Sequence, residues 1–237
     1  MHIQDGFLDA PTSTATAAVA AIAVAVCVRR ARQELDERTA PMAGLVAAFI
    51  FAVQMLNFPI GAGTSGHLLG GALAAVLVGP FTGALCVSVV LVMQALLFAD
   101  GGLTALGSNI SLMAVLTVVV GYGVFTALLH VLPRGRTSIV VASFVGAALS
   151  VPAAAVAFVG LYAVGGTADL DLSTLTTAMA AVHGFIGVGE GLITAATVSS
   201  VLAVRPDLVR GARGMLPPPQ LAERPAATAA ATSGDVR

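Results

Sequence analysis

The sequence predicts an all-α integral membrane protein of about seven transmembrane helices, with a Gly-rich broken segment before the third. Three observations carry that prediction. The chain has 237 residues, of which 57% are hydrophobic and 10% charged, and its mean hydropathy is +0.96. A soluble domain is about 25% charged, so this composition cannot coat a water-facing surface. The apolar residues also come in continuous runs suited to helical crossings of roughly 20 residues. A porin-like barrel would instead alternate polar and apolar positions. Finally, all 11 basic residues are arginine, and they fall in only three parts of the chain. The net charge of −1 gives no sign of a nucleic-acid partner.

The runs read, in order, as Thr12–Val28, Met42–Phe58, His67–Val78, Thr82–Phe98, Ile110–Leu132, Thr137–Val164 and Leu175–Val204. Asp5 and Asp9 precede the first run and Arg29, Arg30 and Arg32 follow it. A signal peptide has the opposite polarity, so this run reads as a retained span. His2 is too bulky for ready removal of the initiator, which leaves Met1 with a free amine. The third run is short, and Pro59, Gly61, Gly63, Gly66, Gly70 and Gly71 crowd its start. Broken backbone at membrane depth requires cover from protein or a polar cavity. The Ala/Pro-rich stretch 211–237 reads as a disordered cytoplasmic tail on a membrane domain spanning 1–210.

Threading seven spans puts every arginine on one side. Arg29, Arg30, Arg32 and Arg38 follow the first span, Arg134 and Arg136 the fifth, and Arg205, Arg210, Arg213, Arg224 and Arg237 the seventh. Basic loops stay cytoplasmic, which predicts an outer N-terminus and a cytoplasmic C-terminus. An even number of spans would break the pattern.

His2 and His67 fall on the outer side of that topology. Met1-His2 is a candidate chelator. The terminal amine and the His2 amide nitrogen close a five-membered ring on a metal, and that amide and the His2 imidazole close a six-membered one. His67 can complete a square of four nitrogens, a field suited to Ni(II) or Cu(II) and acceptable to low-spin Co(II). The amide must lose its proton, so binding weakens as pH falls. A Met-His start and a histidine near a Gly-rich loop are equally compatible with a structural role.

His130 reads as interfacial. His183 and Glu190, two helical turns apart, share a face and read as a structural pair. Gln54, Asn57, Gln94 and Asn109 are interhelical hydrogen-bonders or pathway residues, and Cys27 and Cys86 are buried thiols.

Several longer stretches carry a resemblance. Met1-His2-Ile3-Gln4-Asp5-Gly6-Phe7-Leu8 resembles the start of the CbiM/NikM family, the substrate-binding membrane components of cobalt and nickel energy-coupling factor (ECF) transporters. Gln54 to Pro59, Gly63 to Gly71, Gln94 to Gly102 and His183 to Glu190 extend the similarity across roughly residues 1–210. Gln4 departs from relatives that carry Pro or Met there. The resemblance implies a seven-helix fold whose outer N-terminus inserts toward the membrane interior. It further implies that Met1, His2 and His67 hold Co2+ or Ni2+ as transported ligand, with no resident cofactor. The implied partners are a membrane coupling component, two cytoplasmic ATPase subunits and a small accessory membrane subunit. The chain has no lysine, so it cannot form the Lys-containing nucleotide-binding loop itself.

Two other classes compete. Gly63-Thr64-Ser65-Gly66 matches the Gly-x-Ser-Gly pattern of rhomboid-like intramembrane serine proteases, with His183 as base. Glu190 could instead drive an ion-coupled secondary transporter, although no inverted repeat accompanies it.

Overall fold

The computed structural model describes residues 1–37, 39–56, 58–61 and 64–216. Arg38, Asn57, Gly63 and the expected tail from Pro217 onward lie outside the described residues, as do the side chains from Phe58 to Ser65.

Seven helices form among the described residues. They are α1 (Ala10–Ala31), α2 (Thr39–Gln54), α3 (Gly71–Val78), α4 (Pro80–Leu97), α5 (Leu106–Val131), α6 (Arg136–Gly165) and α7 (Leu172–Val204). Local chemistry sets their ends. Asp9 caps α1 by accepting from the Thr12 amide at 2.9 Å, with Pro11 in the first turn. Asp171 caps α7 by accepting from the Thr174 amide at 2.8 Å. Both satisfy amides that a helix start leaves without partners. Within α5 the residues Ile110–Leu116 widen into a π-helical stretch, and Pro152 lies inside α6.

Five of these helices are long and apolar enough to cross a membrane: α1, α4, α5, α6 and α7. At 16 residues α2 is shorter. With 8 residues, all buried, α3 spans only about 12 Å and cannot cross alone. Its missing length lies in the Gly-rich break, where Phe58–Gly61 (β1) pairs antiparallel with Thr64–Gly66 (β2). The expected all-α fold is thus helical with one short hairpin. Hairpin and loop supply the stretch that glycine and proline keep from being helix.

The half-helix α3 occupies the middle of the bundle and packs against α2, α4, α5, α6 and α7. Large apolar side chains such as Ile22, Leu45 and Phe185 point outward, as a lipid-facing surface requires.

At the end of the bundle opposite the N-terminal segment, the buried Glu34 carboxylate accepts from the Thr82 amide at 2.6 Å and the Phe81 amide at 3.4 Å. It thereby caps α4 from the α1–α2 connection. Arg210 reaches back to donate to the Glu34 carbonyl at 3.0 Å. Gly79 (φ +102°) lies between them, where a Cβ would fall 2.6 Å from the Glu34 carboxyl carbon. After α7, residues 206–212 form two short 3-10 turns with Val209 and Ala212 buried. The packed chain therefore continues past Arg210, the boundary expected from composition.

Candidate metal centre

The first residues run as extended chain into the bundle, and Met1, His2 and Ile3 are buried. Asn109, at the turn where α5 widens, holds them in register. Its side-chain carbonyl accepts from the Ile3 amide at 2.8 Å, and its side-chain amide donates to the Ile3 carbonyl at 3.0 Å. The Gly102 amide donates to the same carbonyl at 2.8 Å. One turn outward, the Asp5 carboxylate accepts from the Thr104 amide and hydroxyl at 2.7 and 2.6 Å. The Asp100–Asn109 segment is therefore a cradle for residues 1–5.

His67 enters from the other side, just after β2, and is fully buried. Two spans fix its loop. Gln54 on α2 donates to the Leu69 carbonyl at 2.7 Å. On α7, the two carboxylate oxygens of Glu190 accept from the Leu69 amide at 2.6 Å and the Gly70 amide at 3.0 Å. The expected His183–Glu190 pair is not formed. A carboxylate in a bundle interior needs strong donors, and two loop amides supply them. His183 bonds through Nδ1 to the Met179 carbonyl at 3.0 Å. Its buried Nε2 has no hydrogen-bond partner among the described residues.

The two supports bring the predicted ligands together. The His2 and His67 rings stack with centroids 4.5 Å apart and planes inclined by 25°. The Met1 amine lies close enough for its charge to act on both rings. His67 Nδ1 is 2.8 Å from the Leu68 carbonyl, so Nδ1 carries the proton. Its Nε2 is then a lone pair, buried and without a hydrogen-bond partner among the described residues. His2 Nε2 lies 3.6 Å from an Asp100 carboxylate oxygen. That separation is beyond hydrogen-bond distance, and His2 Nε2 is buried with no hydrogen-bond partner among the described residues. Among the described residues no three His, Cys, Asp or Glu side chains gather to hold an ion. The candidate donors are two imidazoles and main-chain nitrogens at the terminus.

Burial keeps these donors unprotonated. Desolvation pushes the Met1 amine from 8.0 down to about 5, with Asp100 partly opposing. Desolvation, then the charge of the amine, brings His2 to about 4. His67 is held well below the usual range, by burial first and then by the charges of the amine and His2. Because the inserted N-terminus resists protonation, insertion contributes fully above about pH 8 and is lost as pH falls toward 5. The thermal midpoint of the metal-free protein in detergent should fall across that window by more than that of the same protein acetylated at Met1, and equal behaviour of the two would contradict the buried amine. Asp5, Asp9 and Asp171, all held below the usual carboxylate range by hydrogen bonds, titrate beneath it.

Asp100, the Asn109–Ile3 clasp and the Glu190–loop anchor were not assigned these roles from sequence. Ile3, Leu69, Asp100 and Glu190, however, fall inside the motif stretches quoted above, whereas Asn109 lies outside them.

The family described as the cobalt uptake substrate-specific transmembrane region, CbiM, matches residues 2–208. The chain belongs to the CbiM family. It is similar to a metal transport protein of Haloquadratum walsbyi, 40% identical over 209 residues that cover 88% of this chain and 93% of the relative. It is also similar to a fused nickel transport protein, NikMN, of Archaeoglobus fulgidus, 39% identical over 88% of this chain and 68% of the relative. A crystal structure of a truncated transition metal transporter matches with a TM-score of 0.78 and 30% identity, covering 86% of this chain and 99% of that one. This CbiM-family chain is a multi-pass plasma-membrane protein of a transporter family rather than an enzyme family. The protease reading loses its place, and the Ser65 side chain on which it rested lies outside the described atoms.

Proposed function

We propose that this chain is the metal-capturing membrane subunit of an ATP-driven, ECF-type importer for Co2+ or Ni2+. It holds the ion through the Met1 amine, the His2 amide and imidazole nitrogens, and His67. The observation that carries the reading is the stacking of the His2 and His67 rings beside a buried terminal amine. The arginine pattern puts the N-terminus outside, so the ion loads from the outer face. Planar nitrogen donors suit both metals, with nickel bound more tightly by intrinsic order.

Inward release needs a rearrangement of the bundle. Below the site stands α3, wholly buried and wholly apolar, and beneath that the Glu34–Arg210 closure. Neither offers a cation a path. The work falls to partners: a membrane coupling component, two ATPase subunits and a small accessory membrane subunit. Glu190 serves as the anchor of the His67 loop, since two amides already occupy its oxygens.

Titration calorimetry of the purified chain with nickel and cobalt tests the site. One ion should bind per chain. His67→Ala should weaken binding by more than the about 10–100-fold typical of losing an outer-shell partner. Affinity equal to the parent's would overturn the assignment.

A further inference from the structure

A second site lies at the opposite end of the molecule from the candidate metal centre. A cleft of about 470 Å³ opens between the inner end of α5 and the segment that follows α7. Its wall on α5 is mixed: Leu129, continued by Leu132, is apolar, Tyr122, Thr126 and His130 carry polar groups, and Phe125 is buried behind them. Arg134 at the α5–α6 turn and Arg210 and Arg213 after α7 line it as well, and no carboxylate lines it among the described residues. The three arginines are not equivalent. Arg210 spends its guanidinium on the Glu34 and Gln33 carbonyls. Arg213 has only a loose contact with Asp36, 3.7 Å across two half-exposed side chains. Arg134 is exposed and makes no ion pair or hydrogen bond among the described residues. The nearby carboxylates have engagements elsewhere: Glu34 with the α4 amides and Asp207 with Arg205 at 2.8 Å.

We propose that this cleft binds the phosphodiester headgroup of an anionic phospholipid, gripped by Arg134 and Arg213, with the start of its acyl chains along Leu129 and Leu132. The cleft sits where α5 ends at Val131 and α6 begins at Arg136, the level at which spans leave the bilayer. Val131, on the same helix end, is 78% exposed, which marks the adjoining surface as lipid-facing. Basic residues at inner helix ends follow from topology alone, but topology does not require that they share a cleft with Leu129 and Leu132. Basic pockets between spans on the cytoplasmic side are suited to anionic headgroups. A lipid seated here would tie the α5–α6 turn to the segment whose Arg210 closes on Glu34. The proposal rests on the inner placement of this end and is independent of the metal assignment.

Native mass spectrometry of the full chain, delipidated in detergent, tests it with dioleoyl phosphatidylglycerol, dioleoyl phosphatidylcholine and inorganic phosphate as probes. One phosphatidylglycerol should be retained in preference to phosphatidylcholine, and phosphate should not displace it. Removing both proposed headgroup contacts, Arg134→Ala with Arg213→Ala, should reduce retention about thirtyfold. Each single Arg→Glu variant should reduce it as well. Both positions are exposed, and a circular-dichroism melt without lipid verifies that each variant folds. Equal retention of the two lipids, or undiminished retention by the double variant, would overturn the proposal. Full displacement by phosphate would also overturn it and indicate a site for free anions. None of these readouts involves nickel or cobalt, so failure here and failure of the metal site are separable.

Discussion

Acetylating the terminal amine of this chain should lower its affinity for nickel and cobalt by on the order of a thousandfold or more. Loss of an outer-shell partner alone costs about 10–100-fold, and acetylation acts on a proposed ligand directly. Acetylation turns the amine into a second amide, which can bind only by losing a proton as the His2 amide must, so closing the five-membered ring becomes far costlier. The composition makes the experiment clean. The chain has no lysine, so an amine-directed acylating reagent finds a single target, Met1. Burial holds that amine near pKa 5 but also shields it; once the N-terminal segment opens, it returns toward its ordinary value of 8.0, so mildly alkaline buffer makes the opened amine an unprotonated nucleophile. Bound metal should therefore protect Met1 from acylation, and mass spectrometry of the N-terminal peptide reads both protection and modification. Acetylated protein that binds nickel as tightly as the untreated chain would remove the amine from the site.

The candidate site was legible in the sequence to the extent that its chemistry is local. Met1 and His2 are covalent neighbours, and the two chelate rings follow from bond counting without reference to a fold. His67 was recognisable because the Gly-rich break around it departs from every other apolar run. The supports were not legible, because each joins distant segments. Asn109 clasps Ile3 across 106 positions of sequence, and Glu190 reaches Leu69 across 121. Helical periodicity put His183 and Glu190 on one face correctly, yet sharing a face does not make two side chains partners. The loop amides outcompeted an imidazole whose Nδ1 was already committed to its own helix.

The fold shows the same division. Continuous apolar runs located the seven helices, since each run is a property of its own segment. The hairpin Phe58–Gly66 was visible only as an irregularity, because strand pairing depends on which residues come opposite one another. The packing of Val209 and Ala212 beneath the bundle was hidden for a related reason. The composition of residues 206–216 resembles a linker, and two buried side chains do not change it.

Gly102→Ala should separate the site from the fold. A Cβ at Gly102 would lie 2.3 Å from the Asp5 amide nitrogen and 2.6 Å from the Gln4 carbonyl carbon. Both are backbone atoms, so no side-chain rotation relieves the clash and the N-terminal segment itself must move. Moving it pulls the Ile3 carbonyl from the Gly102 amide, loosens the Asn109 clasp and carries Met1 and His2 away from His67. Metal affinity should fall by about 100-fold or more, the upper end of what outer-shell losses cost. The seven helices should still form, with a circular-dichroism spectrum like the parent's, and the melting midpoint should fall only by what the inserted segment contributes. Gly160→Ala supplies the contrast. That glycine lies within α6 with nothing within 4 Å of an added Cβ, and alanine there should leave binding unchanged while stabilising the helix by about 0.5–1 kcal/mol. If Gly102→Ala bound nickel as well as Gly160→Ala does, the N-terminal segment would not be what positions the metal. Loss of binding in Gly102→Ala alone, with both variants folded, would show that capture depends on where five residues are held rather than on the bundle's stability.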